Sequence, residues 1–246
     1  LDKKRGNMDD TKINMVVVLL PHMSNFTDFN VLERVPEVNL YYTHSAEEIT
    51  MADIIIIPGS KNTISDLEYL RKSGLAQAIL LAHQKGKSVY GICGGYQIMG
   101  KEIHDPHHVE GEINFIPGLG ILPVVTYLTE EKLSQQCRFY FMQDQTECYG
   151  YEIHMGETIS KNNSPLCMKE NKTNDGYYLN ANTWGTYIHG IFDNMTVIDN
   201  IIKSIGKKSA STFDVSTFKE NQYNKLADLV RKNTDMPYIY KSLQQA

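Results

Sequence analysis

The segment Gly91-Ile-Cys-Gly-Gly-Tyr-Gln97 follows the apolar run Ser88–Ile92 and is followed by further apolar residues. A cysteine set among glycines in this way reads as an elbow, where a strand turns sharply into a helix. The residue at such a turn takes strained dihedrals, and small neighbours are needed so that nothing blocks its side chain. An elbow requires a strand before it and a helix after it, which directs the fold to the α/β class. It also sets Cys93 at a helix N-terminus, where the dipole favours negative charge. Gly-rich turns are common, so this segment alone leaves a buried structural cysteine as the rival reading.

The flanking pattern supplies the strands and helices. Met15–Leu20 is a short apolar run ended by Pro21, and Asn39–Thr43 and Asp53–Pro58 are two more strand-sized runs. A loop at Ser24 to Asp28 and a short helical stretch separate the first two. From Ile64 to Lys85 the apolar positions Leu67, Leu70, Leu75, Ile79 and Leu80 recur at helical spacing, with a break predicted at Ser73-Gly74 and a stop at Gly86. Ser88–Cys93 is the next strand. This alternation predicts a doubly wound, mostly parallel sheet with crossover helices, whose sites lie at the carboxyl ends of strands. Pro58-Gly59-Ser60 and Cys93 both occupy such ends. Gly118 to Gly156, rich in Thr, Tyr, Val and Phe, predicts additional antiparallel strands. Lys161 to Asp175 reads as a polar surface excursion, Tyr177 to Ile188 as further strands, and Ser216 to Lys232 as a helix with Phe218, Leu226, Leu229 and Val230 on one side. Residues 1–12 read as a linker or frayed end and 13–246 as a single domain.

Composition excludes several classes. A net charge of −5 without a basic cluster argues against a nucleic-acid surface. No apolar run approaches membrane-spanning length, and the polar N-terminus has no signal-peptide core. The four cysteines, Cys93, Cys137, Cys148 and Cys167, show no metal or disulfide-framework spacing, which fits a reducing, cytoplasmic setting. The chain starts at Leu1, which points to processing or to excision from a longer polypeptide.

A cysteine nucleophile needs a base. His189, in Gly185-Thr-Tyr-Ile-His-Gly-Ile-Phe-Asp193, follows a strand-like run and has Gly190 beside it. Four segments occur in order: Pro-Gly-Ser-Lys-Asn-Thr (58–63), the elbow (91–97), Gly-Tyr-Glu-Ile-His-Met-Gly (150–156) and the His189 segment (185–193). Together with Ser24-Asn-Phe-Thr-Asp28, they resemble the class I glutamine amidotransferase domain of the cobyric acid synthase family, over about residues 13 to 235.

The resemblance implies a class I amidotransferase, flavodoxin-like fold. In it, Cys93 attacks the side-chain amide of glutamine and His189 moves the protons. The N–H of Gly94 and one from the Gly59-Ser60 loop would hold the oxyanion. Gln97 would contact the bound glutamine or pack its helix; Glu152 and His154 would serve recognition or merely form a strand face. The chain itself would carry no cofactor. ATP and Mg²⁺ would act in a synthetase domain fused N-terminally, on a corrinoid acceptor, adenosylcobyrinic acid a,c-diamide. The isolated chain should then hydrolyse glutamine weakly. Two alternatives stay open: a glutaminase for another amide-forming ligase, acting on cobyrinic acid a,c-carboxylates or a cell-wall precursor, and a non-catalytic interaction domain.

Many class I amidotransferases carry a glutamate two residues after the catalytic histidine, where this chain has Ile191. Asp193, Glu152, Asp28, a partner domain's carboxylate or a backbone carbonyl are the candidates to orient the ring. Gly86-Lys87-Ser88 mimics the end of a phosphate-binding loop, but Leu81 replaces its first glycine and a strand follows. His104, His107 and His108 with Asp105, Glu110 and Glu112 match no common zinc spacing, so no metal is expected.

Overall fold

Four runs of buried residues form the parallel heart of the protein: β1 (Ile13–Val18), β2 (Val38–Thr43), β3 (Ile54–Ile57) and β4 (Ser88–Ile92). Every residue of β1, β3 and β4 is buried, because helices cover both faces of such a sheet and no face is left for polar alternation. The computed structural model describes residues 8–142, 144–207 and 215–243. The crossovers are α1 (Ala46–Met51), α2 (Thr63–Lys72) and α3 (Leu75–Gln84). Asn62 caps α2 by accepting the Ser65 N–H. The break between α2 and α3 falls at Gly74, whose φ of 79° suits a residue without Cβ.

After β4 comes α4 (Gly94–Met99), the short helix of the elbow. The second sheet is built from β5 (Glu102–His104), β6 (Phe115–Pro117), the long hairpin β7 (Val124–Phe141) and β8 (Glu147–Ser160), then β9 (Cys167–Lys169) and β10 (Asn174–Asp175). The chain returns through β11 (Tyr177–Asn180), β12 (Thr183–Thr186) and β13 (Ile188–His189). The first sheet runs β11-β12-β4-β3-β1-β2, parallel except for the β11/β12 pair. The second runs β10-β9-β7-β5-β6, with β8 pairing both β7 and β13. Between β12 and β13 the chain therefore passes from one sheet to the other. Trp184 on β12 stacks on Tyr90 at 4.2 Å and meets Phe141 of β7 edge-on, packing the two sheets together. Helix α5 (Met195–Ser204) follows and buries Val197, Ile198, Ile201 and Ile202 along one stripe.

One expectation changes. The stretch from Lys161 to Asp175 is not wholly a surface excursion: it contributes β9 and β10, and Leu166, Cys167 and Asp175 are buried. The chain divides into two compact units, Leu1–Ser211 and Thr212–Ala246. The second holds α6 (Val215–Asn233) and α7 (Met236–Leu243). A helix closes its hydrogen bonds internally, so its periodicity does not say which core it belongs to. Of the expected linker, residues 1–7 lie outside the described residues, while Asp9 and Asn14 fasten the turn before β1. Among the described residues no helix is long and apolar enough to cross a membrane.

Candidate active site

Strand register brings the site together. β3 and β4 pair Ile57 with Gly91, and β4 and β12 pair Ile92 with Thr186. Two residues beyond Ile57 is Gly59, two beyond Gly91 is Cys93, and three beyond Thr186 is His189. Three neighbouring parallel strands thus end side by side at the loop, the elbow and the imidazole. The Cys93 N–H donates to Thr186 O at 2.8 Å, fastening elbow to strand. Cys93 has φ 51° and ψ −110°, a conformation that costs an ordinary residue roughly 1–3 kcal/mol. A Cβ on Gly95 would lie 2.0 Å from Ile57 O, and one on Gly94 would lie 2.9 Å from Ser60 N. Only glycine lets the start of α4 approach the end of β3 this closely.

His189 is fully buried and stacks on Tyr151 at 5.2 Å. Its Nδ1 lies 2.7 Å from Asp28 Oδ2, and Asp28 Oδ1 accepts the Gly190 N–H at 3.1 Å. Among the proposed orienting groups, the structure selects Asp28, carried on a 3-10 turn at Phe26–Phe29 where a loop was expected. Glu152 instead pairs with Lys169. Asn25, in a left-handed conformation with φ 52°, sets its side-chain amide 2.8 Å from the same Nδ1. The atom facing Nδ1 is Asn25 Nδ2, and exchanging the amide's nitrogen and oxygen would let Asn25 share the Nδ1–H with Asp28. His189 Nε2 is buried without a hydrogen-bond partner among the described residues. A Cβ placed on Gly59 would stand 3.2 Å from His189 Cε1 and 3.7 Å from Cys93 Cβ, so ring and cysteine flank one glycine. Burial opposes charging the ring, but the hydrogen bond to Asp28 and the negative charges of Asp28 and an ionised Cys93 outweigh it, and the imidazole pKa rises to about 10.

Cys93 opens onto a cleft of about 260 Å³ lined by residues that include Asn25, Ser60, Lys61, Gln97, Glu110 and Lys132. Its thiol donates to Ile153 O at 3.6 Å. The Gly94 and Ser60 N–H groups have no protein acceptor among the described residues. The Ser60 loop is pinned from behind: Ser60 Oγ donates to Asp66 Oδ2 at 2.6 Å and accepts the Asn62 N–H at 2.9 Å. Asp66, fully buried, also accepts from His22. Nothing in the sequence marked Asp66, because an acid in a helix's first turn is ordinary.

The remaining candidates divide. Gln97 lines the cleft, but its oxygen accepts from Thr63 Oγ1 and its nitrogen donates to Met155 O and the Tyr187 hydroxyl, so its amide ties α4 to β8. Glu152, only 2 % exposed, is held by Lys169 at 2.9 Å and Gln135 at 2.6 Å and lines a separate cavity of about 610 Å³. Side chains alternate along β8, so Glu152 lies on the face opposite the Ile153 side chain, which lines the Cys93 cleft. His154 touches both cavities, stacks on Tyr187 at 3.8 Å, and has a pKa lowered by burial. Among the described residues no group of three or more acidic, His or Cys side chains is placed to hold a metal ion. His104 stacks on Tyr127 and bonds Glu102, and Asp105 accepts backbone amides.

Residues 14–197 match the family model described as a CobB/CobQ-like glutamine amidotransferase domain. The chain is 53% identical to the cobyric acid synthase of Bacteroides fragilis over 247 residues, covering 99% of this chain and 50% of that protein. It is 50% identical to that of Parabacteroides distasonis over 250 residues, with 99% and 50% covered. Against that of Clostridium perfringens it is 41% identical over 233 residues, with 92% and 48% covered. The chain spans about half the length of these curated relatives. Among solved structures, a glutamine amidotransferase superposes with TM-score 0.56 at 13% identity, covering 78% of this chain and 98% of that one. PurLQS from Thermotoga maritima gives TM-score 0.56 at 17% identity, covering 79% and 99%. Both likenesses concern the fold.

Proposed function

This chain belongs to the CobB/CobQ-like glutamine amidotransferase domain family, and we propose that it splits glutamine through Cys93, His189 and Asp28 to supply ammonia within a cobyric acid synthase. Cys93 gives its proton to His189 Nε2, and its sulfur attacks the amide carbon of glutamine. The carbonyl electrons move to oxygen, where the Gly94 and Ser60 amides receive the negative charge. As the C–N bond breaks, His189 returns the proton to the leaving nitrogen and ammonia departs, leaving a glutamyl thioester. Water then attacks the thioester carbon while His189 takes its proton. The thiolate leaves, glutamate is released, and the proton returns to sulfur. Asp28 keeps Nδ1 as the protonated nitrogen, so that Nε2 is the one offered to the cysteine.

The observation that carries this reading is the buried Asp28–His189 pair set beside Cys93 at three adjacent strand ends. Identity of 50–53% along the whole chain with cobyric acid synthases favours that ligase over other amide-forming partners. On this reading the synthetase is fused to the chain. It uses ATP and Mg²⁺ and amidates peripheral carboxylates of adenosylcobyrinic acid a,c-diamide. The isolated glutaminase turns over slowly without it. Four free cysteines suit a reducing cytoplasm.

The test is Cys93→Ala in the full-length protein. Glutamine-dependent amidation should vanish while amidation driven by added ammonium persists. Retained glutamine-dependent activity, or loss of both, defeats the proposal.

A further inference from the structure

The loop that carries the unused His104–Glu112 cluster does one specific thing: it delivers an acid to the Cys93 cleft. Asp105, fully buried at the end of β5, accepts the N–H groups of Val109 and Glu110 at 2.8 Å each. Asn62 Nδ2 donates to Glu110 O at 3.2 Å, and Glu110 Oε2 accepts the Ile64 N–H at 2.9 Å. The side chain is thereby fixed against the start of α2. The preceding residue, Thr63, has its hydroxyl 3.1 Å from where a Cβ on Gly94 would stand, so Glu110 sits close to the elbow. Among the described residues Glu110 is the one carboxylate lining this cleft, together with the exposed Lys61 and Lys132.

No Lys, Arg or His nitrogen forms an ion pair with Glu110 among the described residues. Burial, and the charge of Asp105, push its pKa up. A half-buried anion without a counter-charge is costly, and an arriving cation removes that cost. Free glutamine carries such a cation, a few bonds from its reacting amide.

We infer that Glu110 is the specificity residue for the amino-acid end of the substrate, receiving the α-ammonium of glutamine while Lys61 and Lys132 face its α-carboxylate. This rests on the glutaminase reading above.

The experiment follows covalent labelling of Cys93 in the full-length protein by two electrophiles, read by peptide mass. One is a diazo-ketone analogue of glutamine, which keeps the α-ammonium; the other is iodoacetamide, which lacks it. Glu110→Gln keeps an oxygen for the Ile64 N–H and loses only the charge. It should slow diazo-ketone labelling at sub-saturating concentration about tenfold or more, and leave iodoacetamide labelling within about twofold. Glu110→Asp, which keeps the charge, should recover part of the rate. Glutaramate, glutamine without its ammonium, should protect Cys93 equally well in wild type and Glu110→Gln. Equal diazo-ketone labelling of wild type and Glu110→Gln overturns the inference alone. Equal slowing with both reagents also overturns it, since Glu110 would then act only through packing. A wild type that takes up no diazo-ketone sinks the glutaminase reading, and this inference with it.

Discussion

Replacing Asp28 by Asn removes one charge at the base of the site and changes almost nothing in volume. In the wild type the carboxylate accepts from His189 Nδ1 at 2.7 Å and from Gly190 N–H at 3.1 Å, with both side chains at most 3 % exposed. Asparagine offers one oxygen for these two donors. Its NH₂ group must face either the Gly190 N–H or Nδ1, and in the second case the proton moves to Nε2 and the base is lost. The rise of the imidazole pKa from 6.5 to about 10 corresponds to roughly 5 kcal/mol in favour of the charged ring, shared between Asp28 and Cys93. Losing the carboxylate should cost about 10²- to 10⁴-fold in kcat for glutamine hydrolysis, with little change in KM. Stability supplies an independent readout. The folded-state pKa lies above the unfolded one, so the native protein binds more protons between pH 6.5 and about 10, and its stability falls as pH rises through that window. In the variant burial acts with less opposition, and this slope should flatten. Denaturant titrations between pH 7 and 10, with glutamate release measured in parallel, test both effects. A kcat within threefold of wild type and an unchanged stability slope would refute the assignment of Asp28.

Three further outcomes are expected. Gly95→Ala places a methyl 2.0 Å from Ile57 O and should destabilise the protein by about 2 kcal/mol or more in urea unfolding; a midpoint indistinguishable from wild type contradicts the close approach of α4 to β3. Ser60→Ala removes the hydroxyl bonded to Asp66 and should loosen the Gly59-Ser60 amides. It is expected to lower kcat about tenfold while iodoacetamide still alkylates Cys93 at the wild-type rate. Glu152→Gln leaves Lys169 without its buried partner and should cost about 3 kcal/mol in chemical denaturation; an altered KM for glutamine at full stability would restore Glu152 to the substrate site.

Local features of the chain were legible where their cause is local. β1, β3 and β4 follow from short β-branched runs, the α2/α3 break from a glycine needed at φ 79°, and the elbow from glycines around one cysteine. Asp28 was readable only as one of several acids, because it meets its histidine across 161 residues of sequence. β9 and β10 stayed hidden because polar, turn-rich composition describes the solvent side of Lys161–Asp175 and not the partner strand. Gln97 and Glu152 sit in suggestive motifs, yet one is spent on tying helix to strand and the other on a buried lysine.

Sequence by itself therefore determined the candidate cysteine, its turn and the alternation of strands and helices, since sterics and hydrophobic period act within a few residues. Tertiary structure alone decided which acid bonds the histidine, which loop lies against the elbow and which carboxylate enters the cleft. Those choices depend on strand register and on which side of β8 each residue faces, and both are settled only when the two sheets pack and bury their charges together.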